Sequence, residues 1–201
     1  MTGIMGGTFN PIHYGHLRLA EHIREEFRLD RILFIPAGTP PHKSDMKLIP
    51  ARHRLAMTRL AIADNPAFQI AEFEIGKKGY SYTVDTLERL KAEGYDQLVL
   101  ILGADSVAQL GSWHQPGGIL SRAMIVAAPR PDTDPSVLQT IITELKGKYG
   151  GDIRISTAAA MPHSSTEIRC LISKGQSIRY LVPEPVLHYI TTHGFYGKEQ
   201  M

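Results

Sequence analysis

Short apolar runs that alternate with longer stretches of helical period constrain this chain more than any other feature of it. The runs are Thr2 to Met5, Arg31 to Ile35, Phe68 to Ala71, Gln97 to Leu102, Ala123 to Ala127 and Asp152 to Ser156. They are rich in Ile, Val and Leu, as strands buried on both faces are, and their alternation with helices is the pattern of a parallel sheet covered on both sides. The expected fold is α/β, doubly wound, as one domain over residues 1–201 with a small helical portion from about residue 164. Leu17, Ala20, Ile23 and Phe27 recur at about one helical turn, as do Val84, Leu87 and Leu90 ahead of Gly94. Leu55, Ala56, Leu60 and Ile62 mark a further helix between Pro50 and Asp64. Pro36 to Pro50 and Trp113 to Gly118 read as loops, the kind of connection that carries ligand contacts in such folds, and Arg130 to Pro135 reads as a connecting turn.

Between the first strand and the first helix runs Met5-Gly6-Gly7-Thr8-Phe9-Asn10-Pro11-Ile12-His13-Tyr14-Gly15-His16. Gly6 and Gly7 let backbone approach a ligand with no Cβ in the way, and Pro11 sets φ for a helix about to begin. A phosphate there meets unpaired N–H groups at the positive end of the helix dipole. With a helix starting near Ile12, His13 and His16 share one face of its first turn, and Gly15 clears room for a large anion. A pair of ordinary surface histidines is the plain alternative. Near the other end, His163-Ser164-Ser165-Thr166-Glu167-Ile168-Arg169 precedes an apolar helix. Its plain reading is a capping box, Ser164 as N-cap and Glu167 reaching back. That leaves Ser165, Thr166 and the planar fork of Arg169 unexplained, and a capped helix start with extra donors is a second anion site.

Composition narrows the partners. A chain of 201 residues, 43% hydrophobic and 21% charged, can bury one good core. The formal charge of +2 is spread along the sequence with no basic run, which argues against a nucleic acid partner. Cys170 is the single cysteine, so neither an internal disulfide nor a multi-cysteine zinc site is expected, and a buried structural thiol is the expected state of Cys170. The apolar start Met1 to Met5 is too short for a signal peptide, and no stretch approaches the roughly 18 apolar residues of a membrane span. A soluble, cytoplasmic protein with no membrane partner is expected. His13 and His16 lack the i, i+4 spacing and the glutamate of a zinc protease helix, and no GxxxxGK[ST] loop is present.

The two end motifs together resemble the HxGH and SSTxIR signatures of the nucleotidyltransferase superfamily: Gly6-Gly7-Thr8-Phe9-Asn10-Pro11-Ile12-His13-Tyr14-Gly15-His16 and Ser164-Ser165-Thr166-Glu167-Ile168-Arg169. Pro41-His42-Lys43, Ser81-Tyr82-Thr83-Val84-Asp85-Thr86-Leu87, Gly103-Ala104-Asp105, Trp113 and Tyr180-Leu181-Val182-Pro183 follow in the order seen in the bacterial nicotinate mononucleotide adenylyltransferase family. The resemblance covers nearly the whole chain and implies a Rossmann-like nucleotidyltransferase fold. Asn10 stands where many relatives carry Asp, so no catalytic carboxylate is expected there.

That resemblance implies transfer of AMP from ATP to nicotinate mononucleotide, giving deamido-NAD and pyrophosphate. A phosphate monoester is already an adequate nucleophile near neutral pH, so positive and neutral donors are needed more than a general base. The resemblance places His16 on the α-phosphate with His13 assisting, and Ser165, Thr166 and Arg169 on the β- and γ-phosphates beside Thr8. Gly6, Gly7, Phe9 and Ser164 complete the ATP-binding set, with Gly103 and Asp105 at the ribose and adenine. Lys43, Tyr82, Thr83 and Trp113 are implied for nicotinate mononucleotide, the indole stacking on the pyridine ring and the Thr83 helix start meeting the carboxylate. Read without the resemblance, Trp113 is as well explained as a packing anchor, and Thr83 and Asp105 as simple caps. Mg²⁺ is expected to ride on the ATP phosphates with no protein metal ligand. Phosphopantetheine or nicotinamide mononucleotide as acceptor, and a nucleotide sensor without turnover, are the competing readings; a homo-oligomer stays open.

Overall fold

The computed structural model describes residues 1–38, 48–76, 79–129, 134–159 and 163–197. Its strands are β1 (Thr2–Gly7), β2 (Arg31–Pro36), β3 (Phe68–Ile70), β4 (Leu98–Gly103), β5 (Ala123–Ala128) and β6 (Ile153–Ile155), each within one or two residues of its expected bounds. They form one sheet in the order β3-β2-β1-β4-β5-β6. The pairs β1 with β4, β4 with β5 and β5 with β6 are parallel, with Thr2 opposite Leu98, Leu98 opposite Ala123 and Ile125 opposite Ile153. Parallel neighbours need a crossover connection. Helices supply it: α1 (Tyr14–Glu26), α2 (Ala51–Ile62), α3 (Thr83–Ala92), α4 (Ala104–Gln109), α5 (Pro116–Arg122) and α6 (Pro135–Tyr149), with α7 (Ser165–Ser173) and α8 (Glu184–His193) after the last strand. The order changes direction at β1, so the carboxyl end of β1, Gly6 and Gly7, is a topological switch point of the kind that binds ligands in open α/β sheets.

The chain divides into two compact units. The first comprises Met1–Met5, Leu19–Leu33 and Ser81–Met161. Its core includes the run Leu98 to Leu102, Ile125 to Ala128, Val84, Leu87 and Leu90 of α3, and Leu138, Ile142 and Leu145 of α6, all buried. The second comprises Gly6–Arg18, Phe34–Tyr80 and Pro162–Met201. It buries Ile12, Phe34, Ile35, Met57, Ile62, Phe68, Ile168, Val186 and Ile190. Phe34 is the hub of its aromatic packing, with ring centroids 6.0 Å from Phe9 and 5.0 Å from Phe68.

Several expectations are corrected. Trp113 to Gly118 is not all loop, because Pro116-Gly117-Gly118 opens α5 with proline in its first turn. Ile119 and Leu120 are buried, and a Cβ on Gly118 would lie 3.1 Å from Val84 Cγ2, so the glycine lets α5 sit close on α3. In α2 the buried face carries Arg54, Met57, Thr58, Ala61 and Ile62, whereas Leu60 is exposed. Cys170 is exposed. Ile168 takes the buried side of α7, and two residues on, about 200° around the helix, points elsewhere. Pro40, Pro41, His42 and Lys43 lie outside the described residues, as does most of Arg130 to Pro135. Asp134 and Pro135 are described: the Asp134 side chain caps α6 by accepting from the Ser136 N–H, and Pro135 is its first residue.

Candidate active site

In the second unit the segment after β1 does not run straight into a helix. The Asn10–Pro11 peptide is cis, Ile12 is fully buried, and α1 begins at Tyr14 rather than near Ile12. The His13 carbonyl accepts the first helical bond, from the His16 N–H at 2.9 Å, so His13 stands just ahead of the helix and His16 inside its first turn. The three-residue spacing still brings the rings together, with centroids 3.8 Å apart and planes inclined by 34°. The backbone N–H of His13 donates to His16 Nδ1 at 3.3 Å. A ring nitrogen that accepts leaves the proton on the other one, so His16 presents Nε2–H as a donor. Phe9, at φ 47°, sets its ring edge-on to His16 at 5.1 Å. Two glycines make this possible. A Cβ on Gly7 would come within 2.9 Å of the Phe9 ring, and one on Gly15 within 2.9 Å of His13 Cε1 and Nδ1. The space beside Gly15 is therefore used by the His13 ring, not left open for an anion. At Gly6 a Cβ would meet nothing within 4 Å.

The carbonyls of this loop are held in turn. Gly7 O accepts from the Ala37 N–H at 2.8 Å, Thr8 O from Arg54 Nη1 at 2.6 Å, Asn10 O from Arg169 Nη1 at 2.8 Å and Pro11 O from the Ser165 hydroxyl at 2.8 Å. In a trans peptide C=O and N–H point opposite ways. Holding the carbonyls of Gly7 and Thr8 turns the N–H groups of Thr8 and Phe9 the opposite way, and successive N–H groups so turned can form a concavity for an anion.

The second motif comes from α7. Ser164 is its N-cap, accepting from the Glu167 N–H at 3.1 Å. The reciprocal half of the capping box is replaced by a contact of Glu167 with His163 Nδ1 at 3.9 Å. Arg169 reaches both Asn10 O and, from Nη2, the Thr166 hydroxyl at 3.2 Å. Ser165 and Arg169 of the late motif are thus bonded to the loop that leads into His13.

Three participants were not foreseen as such. Arg54 is only 1% exposed, and its guanidinium donates to Thr8 O, to Gly38 O at 2.9 Å and to Ile49 O at 3.2 Å. Burial pulls its pKa below the usual arginine value. Arg54 keeps helical phase with Met57, Thr58 and Ala61 on the buried face, a placement that an arginine by itself does not announce. Tyr196 donates to Asn10 Oδ1 at 2.9 Å across most of the chain. Burial pushes its phenol well above the usual range against the pull of Arg169 and Arg54, so it remains a donor. The third is the Asn10 side chain itself, 2% exposed, whose Nδ2 has no partner among the described residues.

Apart from Lys43, which lies outside the described residues, the remaining predicted residues lie in the first unit. Thr83 is the first residue of α3, and Tyr82 precedes it as N-cap with no side-chain cap bond, so neither acts as a side-chain cap. Gly103 ends β4 and is the N-cap residue of α4, and Asp105 is exposed in its first turn. Trp113 follows a short 3-10 turn. Its Nε1 is buried and has no hydrogen-bond partner among the described residues. The Tyr82 ring lies 4.4 Å from that of His114, inclined by 32°.

The profile of the cytidylyltransferase-like family matches residues 4–171. A Thermoanaerobacter sp. (strain X514) protein described as "probable nicotinate-nucleotide adenylyltransferase" is 41% identical over 200 residues, with 98% of this chain and 95% of that one covered. One from Geobacter metallireducens with the same description is 43% identical over 214 residues, with 99% of each covered. Among solved structures, Plasmodium falciparum nicotinic acid mononucleotide adenylyltransferase complexed with NaAD superposes with a TM-score of 0.77 at 19% identity, covering 97% of this chain and 96% of that chain. The last likeness is one of fold.

Proposed function

We propose that this chain, which belongs to the cytidylyltransferase-like family and within it to the nicotinate-nucleotide adenylyltransferases, transfers the adenylyl group of ATP to nicotinate mononucleotide. An oxygen of the acceptor phosphate bonds to the α-phosphorus, the bond to the β-phosphate bridge breaks, and pyrophosphate leaves. The observation that carries the reading is the cluster in the second unit: His16 with its Nε2–H donor fixed, His13 stacked on it, and a loop whose carbonyls are tied back by Arg54, Arg169 and Ser165. All of these groups suit an anion whose charge grows in the transition state.

His16 donates to the α-phosphate, where its bond strengthens as the pentacoordinate centre forms. His13 assists. Gly6, Gly7, Thr8 and Phe9 bind phosphate through backbone N–H groups, and Ser164, Ser165, Thr166 and Arg169 through the start of α7 and the guanidinium. Ser165 and Arg169 contribute twice, since each also orients the first loop. Gly103 and Asp105 serve the ribose and adenine. Tyr82, Thr83 and Trp113 serve the pyridine nucleotide together with Lys43. A buried indole N–H still in want of an acceptor and the start of a ten-residue helix both suit a ring bearing a carboxylate. Mg²⁺ would be carried by the ATP phosphates and would neutralise charge on the leaving pyrophosphate. Among the described residues no three His, Cys, Asp or Glu side chains are grouped for a metal and no helix is long and apolar enough to cross a membrane. We read residues 1–201 as one nucleotidyltransferase domain working in the cytoplasm, where ATP and the mononucleotide are supplied.

Incubation with ATP, Mg²⁺ and nicotinate mononucleotide is expected to yield deamido-NAD and pyrophosphate in equal amounts. Absence of product from this acceptor, with turnover of nicotinamide mononucleotide or phosphopantetheine instead, would overturn the reading.

A further inference from the structure

We propose that Arg54 is the positioning residue of the phosphate-binding loop: its buried guanidinium turns the Thr8–Phe9 peptide so that the Phe9 N–H faces the ATP phosphates, and it adds its positive charge to them. The proposal rests on the ATP-binding reading above and deepens it.

Arg54 sits in the first turns of α2 on the face that also buries Met57, Thr58 and Ala61. Its bonds go to the three carbonyls of Thr8, Gly38 and Ile49, and no carboxylate pairs with it among the described residues. A guanidinium taken out of water without an anion costs free energy that an apolar residue at the same place would not. Simple packing therefore does not account for it. Two consequences of its position do. The shortest of its bonds is to Thr8 O, and pulling that carbonyl inward points the Phe9 N–H the opposite way. Arginine also stays protonated even when desolvated, so the charge persists in a medium where it is weakly screened. It adds to that of Arg169, which among the described residues likewise bonds only a carbonyl and a hydroxyl, and both act on the Tyr196 phenol. An incoming polyphosphate offers a counter-charge to this pair, neither of which bonds a carboxylate among the described residues. Lysine could keep the charge but not three divergent bonds.

The test measures ATP–Mg²⁺ binding directly, by calorimetry on the whole chain, for the native protein, R54K and R54Q, at low and at moderate salt, with a thermal melt of each. Folded R54Q is expected to bind ATP roughly tenfold or more weakly, with a shallower salt dependence. R54K is expected to keep the native salt dependence and still to bind several-fold more weakly; it carries the test should R54Q fail to fold. A folded variant that binds ATP within about twofold of native overturns the proposal. So does loss of fold in both variants, which would make Arg54 a residue of stability alone. A native chain that does not bind ATP would instead refute the reading on which the proposal stands.

Discussion

His16 is useful because its chemistry is settled before any ligand arrives. Its Nδ1 is engaged by the His13 N–H, its ring is met edge-on by Phe9, and the His13 ring lies over it at 3.8 Å. The hydrogen bond selects the tautomer and the two ring contacts hold the ring's orientation, so little reorganisation is left for the moment of reaction. Replacing His16 by Ala is expected to lower turnover by on the order of a hundredfold or more while changing ATP affinity only modestly, because the lost bond strengthens in the transition state. Steady-state kinetics beside a direct ATP titration checks this. An equal loss in both would make His16 a ground-state binding group and would favour the sensor reading. Gly15 belongs to the same device, since any Cβ there would strike the His13 ring.

At the scale of elements, the start of α7 combines a structural task with a functional one. Ser164 satisfies the Glu167 N–H, which leaves Ser165 and Arg169 of the same helix to hold the carbonyls of Pro11 and Asn10. Ser164→Ala removes the cap and is expected to cost about 1 kcal/mol, which is roughly 2–4 °C in Tm for a chain of this size. Calorimetry measures the shift; none at all would mean that water caps the helix as well. The strands and this cap were legible because each is written in a local pattern, an apolar run or a serine three residues ahead of a glutamate. Arg54 was not, because a lone arginine in a helix ordinarily faces solvent, and what buries this one is carbonyls contributed by Thr8, Gly38 and Ile49. The bond from Tyr196 to Asn10 spans 186 positions and leaves no trace in spacing. The α5 start was misread for the opposite reason. Pro116-Gly117-Gly118 has the composition of a turn, but tertiary packing of Ile119 and Leu120 and the close approach of Val84 override that preference.

At the scale of the whole molecule, each unit carries its own acid-sensitive group, and the two differ in pH range. In the second unit, His53 of α2 accepts or donates with the Tyr189 hydroxyl of α8 at 2.9 Å, and packs against His193 and Phe195. Burial, then the charge of Arg52 and then His193, lower its pKa below the ordinary 6.5. In the first unit, burial raises Glu26, but its bonds from the Ser156 hydroxyl at 2.5 Å and the Thr157 N–H at 2.9 Å outweigh that, and its pKa lies below the ordinary 4.5. Both shifts act with the same sign. The unfolded chain takes up the proton first, so each group's contribution is complete above its unfolded value and is lost as pH falls from there through the folded one. The contact of α2 with α8 is therefore expected to loosen first, below about pH 6.5, and that of Glu26 with Ser156 and Thr157 only below about pH 4.5. Hydrogen exchange followed against pH should show amides of α2 and α8 losing protection before those beside Glu26. His53→Gln should abolish the first step and Glu26→Gln the second. A single step common to both units, unchanged by either substitution, would show that acid acts on some other group.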